Sequence, residues 1–238
     1  MIDGPLAPRR SAWSRARYRM RRTSSPRSWA VDANDGIIGT AGLLEGFAGA
    51  GAGDSVLMTA ACAATIAGSL AVGGAKWAED AAERDAETHI IDEERAQLAA
   101  APDDELAELA AYWETKGLDP ATAAAAAAQL SARDALAAQL EYEHGIVRPI
   151  PAWHPAWAGL SSSLAYVSGA IVPLVLTVSV PVGVEVWAIA IAVIASLVLT
   201  SVIAGRRSHI SVRRLIVRTV LVGAATMLIS YLVGALLL

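Results

Sequence analysis

The sequence predicts an all-α integral membrane protein: five transmembrane helices, with an acidic three-helix domain between the second and the third. Three observations carry that expectation. Apolar residues come in runs of about 20, the length a helix needs to cross the hydrocarbon of a bilayer. Acids are concentrated outside those runs, with seventeen of the 23 Asp and Glu in residues 79–145 against four Lys or Arg there (Arg84, Arg95, Lys116, Arg133). Finally, every basic cluster falls on one side of the membrane once the five spans are threaded.

Taken in order, residues 1–28 form a basic tail with eight arginines between Arg9 and Arg27. No apolar stretch with a cleavage site separates it from the first span, so it does not read as a signal peptide. Its chemistry suits anionic headgroups rather than nucleic acid. Two spans follow within residues 29–78, at roughly 33–53 and 55–77, and three within 149–238, at roughly 157–180, 184–205 and 215–238. The positive-inside rule then puts the N-terminus, residues 79–156 and the loop around 206–214 in the cytoplasm and the C-terminus outside. The opposite loops, near 49–55 and 181–185, contain no Lys or Arg.

Tryptophans mark the same boundaries. Trp29, Trp77, Trp153 and Trp157 fall at the cytoplasmic interface and Trp187 near the outer one, whereas Trp113 belongs to the soluble domain. Gly36, Gly39, Gly42, Gly46 and Gly49 in span one, with Ala60, Ala64 and Gly68 in span two, favour dense helix packing or a dimer seam. Pro173 removes a donor within span three. The lone Cys62 has no partner for a disulfide and reads as a small packing residue.

The charged segment, 79–148, reads as three helices joined by turn signals. The first continues span two to about Ala100. Pro102-Asp103-Asp104 starts the second, which Lys116-Gly117 ends. Asp119-Pro120 supplies an N-cap and a first-turn proline for the third, which runs to about Glu143 and closes at Gly145. A Pro-rich link at 149–155 returns to the membrane.

Several residues carry candidate chemistry. Asp35 lies about one turn inside span one, and an ionisable residue in a membrane helix is a functional candidate by default. Asp32 and Asn34 lie nearer the interface and read as interfacial polar groups. Glu45 falls about 15 Å further along the helix than Asp35, near mid-membrane. Glu105 and Glu108 are three residues apart on one helix face, so their carboxylates can converge on one cation. Asp80, Glu83, Glu87, Glu93, Asp104 and Glu141 are secondary candidates, each also explained by a solvated helix face. His89, His144, His154 and His209 show no metal-ligand spacing; His144 adjoins Glu143 and reads first as a surface histidine. Neither a phosphate-binding loop nor a nucleophile–base pair is suggested, so an enzyme is not expected.

Over essentially all of residues 29–238 the chain resembles the vacuolar iron transporter (VIT) family, in a divergent bacterial form. The matching stretches are ANDGIIGTAGL at 33–43, AGSLAVGGAKWAEDAAERDAE at 67–87 and ELAELAAYWETKGLDP at 105–120. DALAAQLEYEHGI at 134–146 and VRTVLVGAATMLISYLVGALL at the end complete the set. The resemblance implies a homodimeric transporter in the bacterial plasma membrane that exports Fe²⁺ or Mn²⁺ from the cytoplasm in exchange for protons. No prosthetic group is implied; the ion is cargo. It implies that Asp35 is the translocation-path aspartate, handling metal and protons, and that Glu94 and Glu143 join Glu105 and Glu108 as metal ligands of the soluble domain.

The chain also departs from the family pattern. Val72 replaces a metal-binding Met of span two, Lys76 stands where the family has an acid, and Glu45 stands where it has an apolar residue. Gln97, Gln139 and Leu140 replace further ligands of the soluble domain, leaving a harder, all-oxygen set suited to Mn²⁺ or Fe²⁺. Two explanations of the membrane path stand: Glu45 neutralises Lys76 or supplies a replacement ligand, or the path no longer conducts Fe²⁺. A membrane-anchored metal-binding or regulatory protein without transport, and a transporter of another solute, are the competing functions.

Overall fold

A computed structural model describes residues 26–180, 185–206 and 211–237. Most of the basic tail and His209 lie outside them. Among the described residues the chain is helical, with no strand. Seven α-helices follow one another among the described residues: α1 (Pro26–Gly49), α2 (Asp54–Ala100), α3 (Pro102–Thr115), α4 (Pro120–Gln139), α5 (His154–Ser179), α6 (Glu185–Arg206) and α7 (Val212–Leu237). One π-helical turn, Leu140–His144, extends α4. The described residues divide into two compact units: 26–80 with Pro155 onward, and Ala81–His154.

Among the described residues, four helices are long and apolar enough to cross a membrane: α2, α5, the Trp187–Arg206 part of α6, and α7. The sequence reading expected a fifth. That segment, α1, is helical for 24 residues but carries Asp32, Asp35 and Glu45 among its glycines, which sets it apart from the other four. The outward faces of these helices are apolar, with Val175, Val178, Ile191, Leu199, Leu221, Leu228 and Ile229 exposed. An aqueous solvent would oppose such faces, and a bilayer accepts them. The five interfacial tryptophans are likewise exposed.

α1 packs against α6 and α7 around Ile37, Ala41, Leu44, Leu57, Val193, Leu197 and Met227. Its small residues serve contacts within the chain. Gly36 and Gly169 let α1 and α5 approach until a Cβ on Gly36 would collide with the Tyr166 carbonyl and one on Gly169 with the Ala33 carbonyl. Any side chain there would push the helices apart. Cys62 does not fill the core as expected: it is exposed, its thiol 3.7 Å from the Met58 sulfur.

The second unit is built from residues 81–100 of α2 with α3, α4 and the π turn. Pro102 opens α3 at its first turn, and Gly117, at φ 98°, stands just past its end. Asp119 caps α4, its Oδ1 accepting from the backbone N–H of Ala121 and Thr122 at 3.1 Å. The expected uninterrupted third helix is broken at Asp134, whose backbone is extended (φ −164°, ψ 94°). Its carboxylate recaps the helix by accepting from Ala137 N–H at 2.9 Å. Gly145, at φ 66°, closes the π turn, with Ile146 N–H donating to Leu140 O at 2.9 Å.

Candidate metal centre

Three elements of the second unit meet at a group of carboxylates. Along α2, positions 87 and 94 turn inward two turns apart; Glu94 is 1% exposed. α3 contributes Glu105 and Glu108 from its first half. The π turn contributes Glu143 and His144. Ligand atoms of Glu105, Glu108 and Glu143 lie within 4.8 Å of one another, and so do those of Glu94, Glu143 and His144. Oxygen ligands sit about 2.0–2.6 Å from a divalent ion, so two on opposite sides of it stand roughly 4–5 Å apart. Each trio can therefore close on one ion, and Glu143 is common to both.

The electrostatics favour a cation there. Burial, with the charges of Glu143, Glu105 and Glu108 behind it, pushes the Glu94 carboxyl up to about 7. Burial also raises Glu105, helped by Glu108 and Asp104, and raises Glu143, helped by Glu105 and Glu108. Tyr142 is raised by burial and by Glu143. Among the described residues no Lys or Arg ion pair reaches this group: Arg84 pairs with Asp85, Arg95 with Asp92, and Lys116 lies over the Tyr112 ring. Only His144 approaches, its Nε2 3.7 Å from Glu94 Oε2 and 3.6 Å from Glu143 Oε2. Glu94 Oε1 is buried with no hydrogen-bond partner. A bound cation would satisfy that oxygen, as would a proton.

All four soluble-domain residues singled out in the sequence thus stand together. Two others were missed as site residues. His144 has no HxxxH-type spacing because its partners come from other helices. Gln139, which the sequence suggested as a lost ligand, is 1% exposed and donates through Nε2 to Glu105 O (2.6 Å) and Glu105 Oε2 (3.1 Å). Gln139 therefore orients Glu105, while its own buried Oε1 has no partner. Of the secondary acids, Glu87 accepts from Ile150 N–H at 2.6 Å and latches the Pro-rich link, and Glu93 pairs with His89 at 3.1 Å.

In the membrane-type unit, Asp35 is exposed on the single chain and Glu45 is buried at 4%. Asp32 and Asn34 are built into helix contacts: Asp32 Oδ2 accepts from Ser162 at 2.8 Å, and Asn34 accepts from Thr200. Lys76 pairs with Glu79 and Asp80 on its own helix, at 2.9 and 3.0 Å.

Long helices with apolar outer faces, together with a cation-seeking helical unit, define an all-α membrane protein with a candidate metal centre. The VIT family model matches residues 27–235, and the chain belongs to that family. It is similar to a protein named vacuolar iron transporter from Acanthamoeba castellanii, 32% identical over 155 residues, 65% of this chain and 56% of the relative. Two plant proteins, each named vacuolar iron transporter 1, also match over 172 residues, 71% of this chain and 66% of each relative. That from Eucalyptus grandis is 27% identical and that from Arabidopsis thaliana 26%. The matched part of the chain thus spans less than two thirds of the length of each of these relatives.

Proposed function

We propose that the protein is a divalent metal-ion transporter that moves Fe²⁺ or Mn²⁺ out of the cytoplasm against a return flow of protons. The observation that carries this reading is the pair of ligand trios sharing Glu143, with a buried, unpartnered Glu94 oxygen, in a chain of the VIT family. In this reading α1 is the first of five spans, Ala81–His154 is the cytoplasmic collecting domain, and the protein works as a homodimer in the plasma membrane. Metal gathered by Glu94, Glu105, Glu108 and Glu143 passes to Asp35, and protons entering from the far side release it. Carboxylates suit both tasks, because the same oxygen binds a metal when ionised and discharges it when protonated. The test is a flux panel of Fe²⁺, Mn²⁺, Co²⁺ and Zn²⁺ in proteoliposomes, with and without a pH gradient. Gradient-driven flux of at least one ion is expected. Metal binding without any flux would instead support a second reading, a membrane-anchored metal-binding protein, which the Lys76–Asp80 ion pair favours.

A further inference from the structure

The connection that leaves the metal centre is built to be stiff. It begins at the left-handed Gly145 and runs through Val147, Arg148, Pro149, Ile150 and Pro151 to Trp153. Each proline fixes its own φ and holds the residue before it extended. Neither has a backbone N–H, so within residues 149–151 Ile150 is the only backbone donor. That donor is used: Ile150 N–H donates to Glu87 Oε2 at 2.6 Å. Glu87 is 1% exposed, whereas Val147 and Trp153 of the connection are well exposed. The connection therefore turns inward at two places, the buried Ile146 and the half-buried Ile150. Its start carries candidate metal ligands. Glu143 and His144 belong to the π turn, and His144 Nε2 stands 3.7 Å from Glu94 Oε2. Glu87 and Glu94 lie seven residues apart on α2, about two turns along one face. α2 thus meets the returning chain twice, through Glu94 opposite the ligands and through Glu87 six residues beyond His144.

We propose that Glu87 is a positioning residue of the metal centre: its bond to Ile150 N–H fastens the stiff connection to α2, so that Glu143 and His144 are presented before an ion arrives. Glu87 itself belongs to neither ligand trio. A carboxylate suits the task, because an ionised acceptor makes the stronger bond to a backbone N–H. Without that bond the ion would have to order the connection as it binds, and ordering on binding costs affinity. The proposal rests on the metal centre of the proposed function, though not on transport.

The experiment measures Mn²⁺ affinity and amide hydrogen exchange on the full-length protein in nanodiscs. E87L cannot accept the N–H and is expected to bind Mn²⁺ on the order of tenfold more weakly, the loss typical when a group that holds a metal ligand in place is removed. E87Q keeps an oxygen acceptor and should bind close to the parent level. The number of ions bound should be the same in all three, since no ligand is lost. Coupling is reciprocal, so Mn²⁺ must in turn strengthen the bond to Ile150. Exchange at Ile150 in the parent is therefore expected to slow on the order of tenfold when Mn²⁺ is added, and to stay fast in E87L. The parent measurement needs no variant, so it decides even if E87L does not fold. A purely structural Glu87 would lower the melting temperature of E87L yet leave its Mn²⁺ affinity at the parent level, and that result overturns the proposal. Unchanged exchange at Ile150 in the Mn²⁺-loaded parent overturns it too. A parent that binds no Mn²⁺ removes the metal centre and this role with it, whereas equal affinity in parent and E87L removes the role of Glu87 alone.

Discussion

His144 and Glu94 face each other across two helices, Nε2 to Oε2 at 3.7 Å, although 50 residues separate them in the chain. The π turn Leu140–His144 and the left-handed Gly145 that ends it present Glu143 and His144 together. An imidazole beside carboxylates favours borderline ions such as Zn²⁺ and Co²⁺ more than Mn²⁺. H144A is expected to weaken Zn²⁺ and Co²⁺ binding on the order of tenfold while changing Mn²⁺ binding much less. Competition titrations against Mn²⁺ measure this, and equal losses for all three ions would remove His144 from the ligand set.

Glu143 belongs to both ligand trios, whereas Glu108 belongs to one. E143Q should therefore reduce the number of ions bound to the purified protein at micromolar metal, and E108Q should weaken only part of the binding. Calorimetric stoichiometry distinguishes these outcomes. Indistinguishable isotherms for the two variants would mean that Glu143 is not shared. Each substitution also relieves like-charge repulsion, so both metal-free variants should be slightly more heat-resistant than the parent.

The raised Glu94 carboxyl gives the metal-free protein a pH dependence of definite sign. Its ordinary value is 4.5 and burial moves it to about 7. Below 4.5 it is protonated whether the chain is folded or not, so no penalty exists there. Between about 4.5 and 7 the unfolded chain loses its proton while the folded one retains it, and stability falls as pH rises. Thermal unfolding of the metal-free protein should therefore begin at lower temperature at pH 8 than at pH 5. E94Q should flatten that slope, and saturating Mn²⁺ should cancel it by stabilising the ionised form. An E94Q profile as steep as the parent's would assign the slope to other acids.

How much of this was legible in the sequence depends on whether the signal was local. Asp119-Pro120 announces the start of α4 through its own capping chemistry, and the helix begins there. Glu105 and Glu108 share a face because helical spacing dictates it. The break at Asp134 was not legible, since an aspartate inside an alanine-rich run carries no turn residue to mark it. Nor was the role of Gln139, whose partner Glu105 is 34 residues away. For Lys76 the sequence offered Glu45 as one neutralising partner, and the pairs on its own helix were not anticipated. Its partners lie one turn further along its own helix, at i+3 and i+4.

Asp35 offers the sharpest test of the membrane path. It is exposed on α1, one helical turn from Asp32, and if α1 spans the bilayer as proposed an isolated charge there is costly. A carboxylate there can exchange a metal ion for a proton; an amide of the same shape can do neither. D35N is expected to reduce pH-driven Mn²⁺ flux in proteoliposomes to the level of empty vesicles, while Mn²⁺ binding by the Glu94–Glu143 centre is unchanged. D35E, which keeps the titratable group on a longer stem, should retain part of the flux. Together these variants separate charge from geometry: flux lost in D35N and partly kept in D35E requires the carboxylate itself. Parent-like flux in D35N would take Asp35 out of the path.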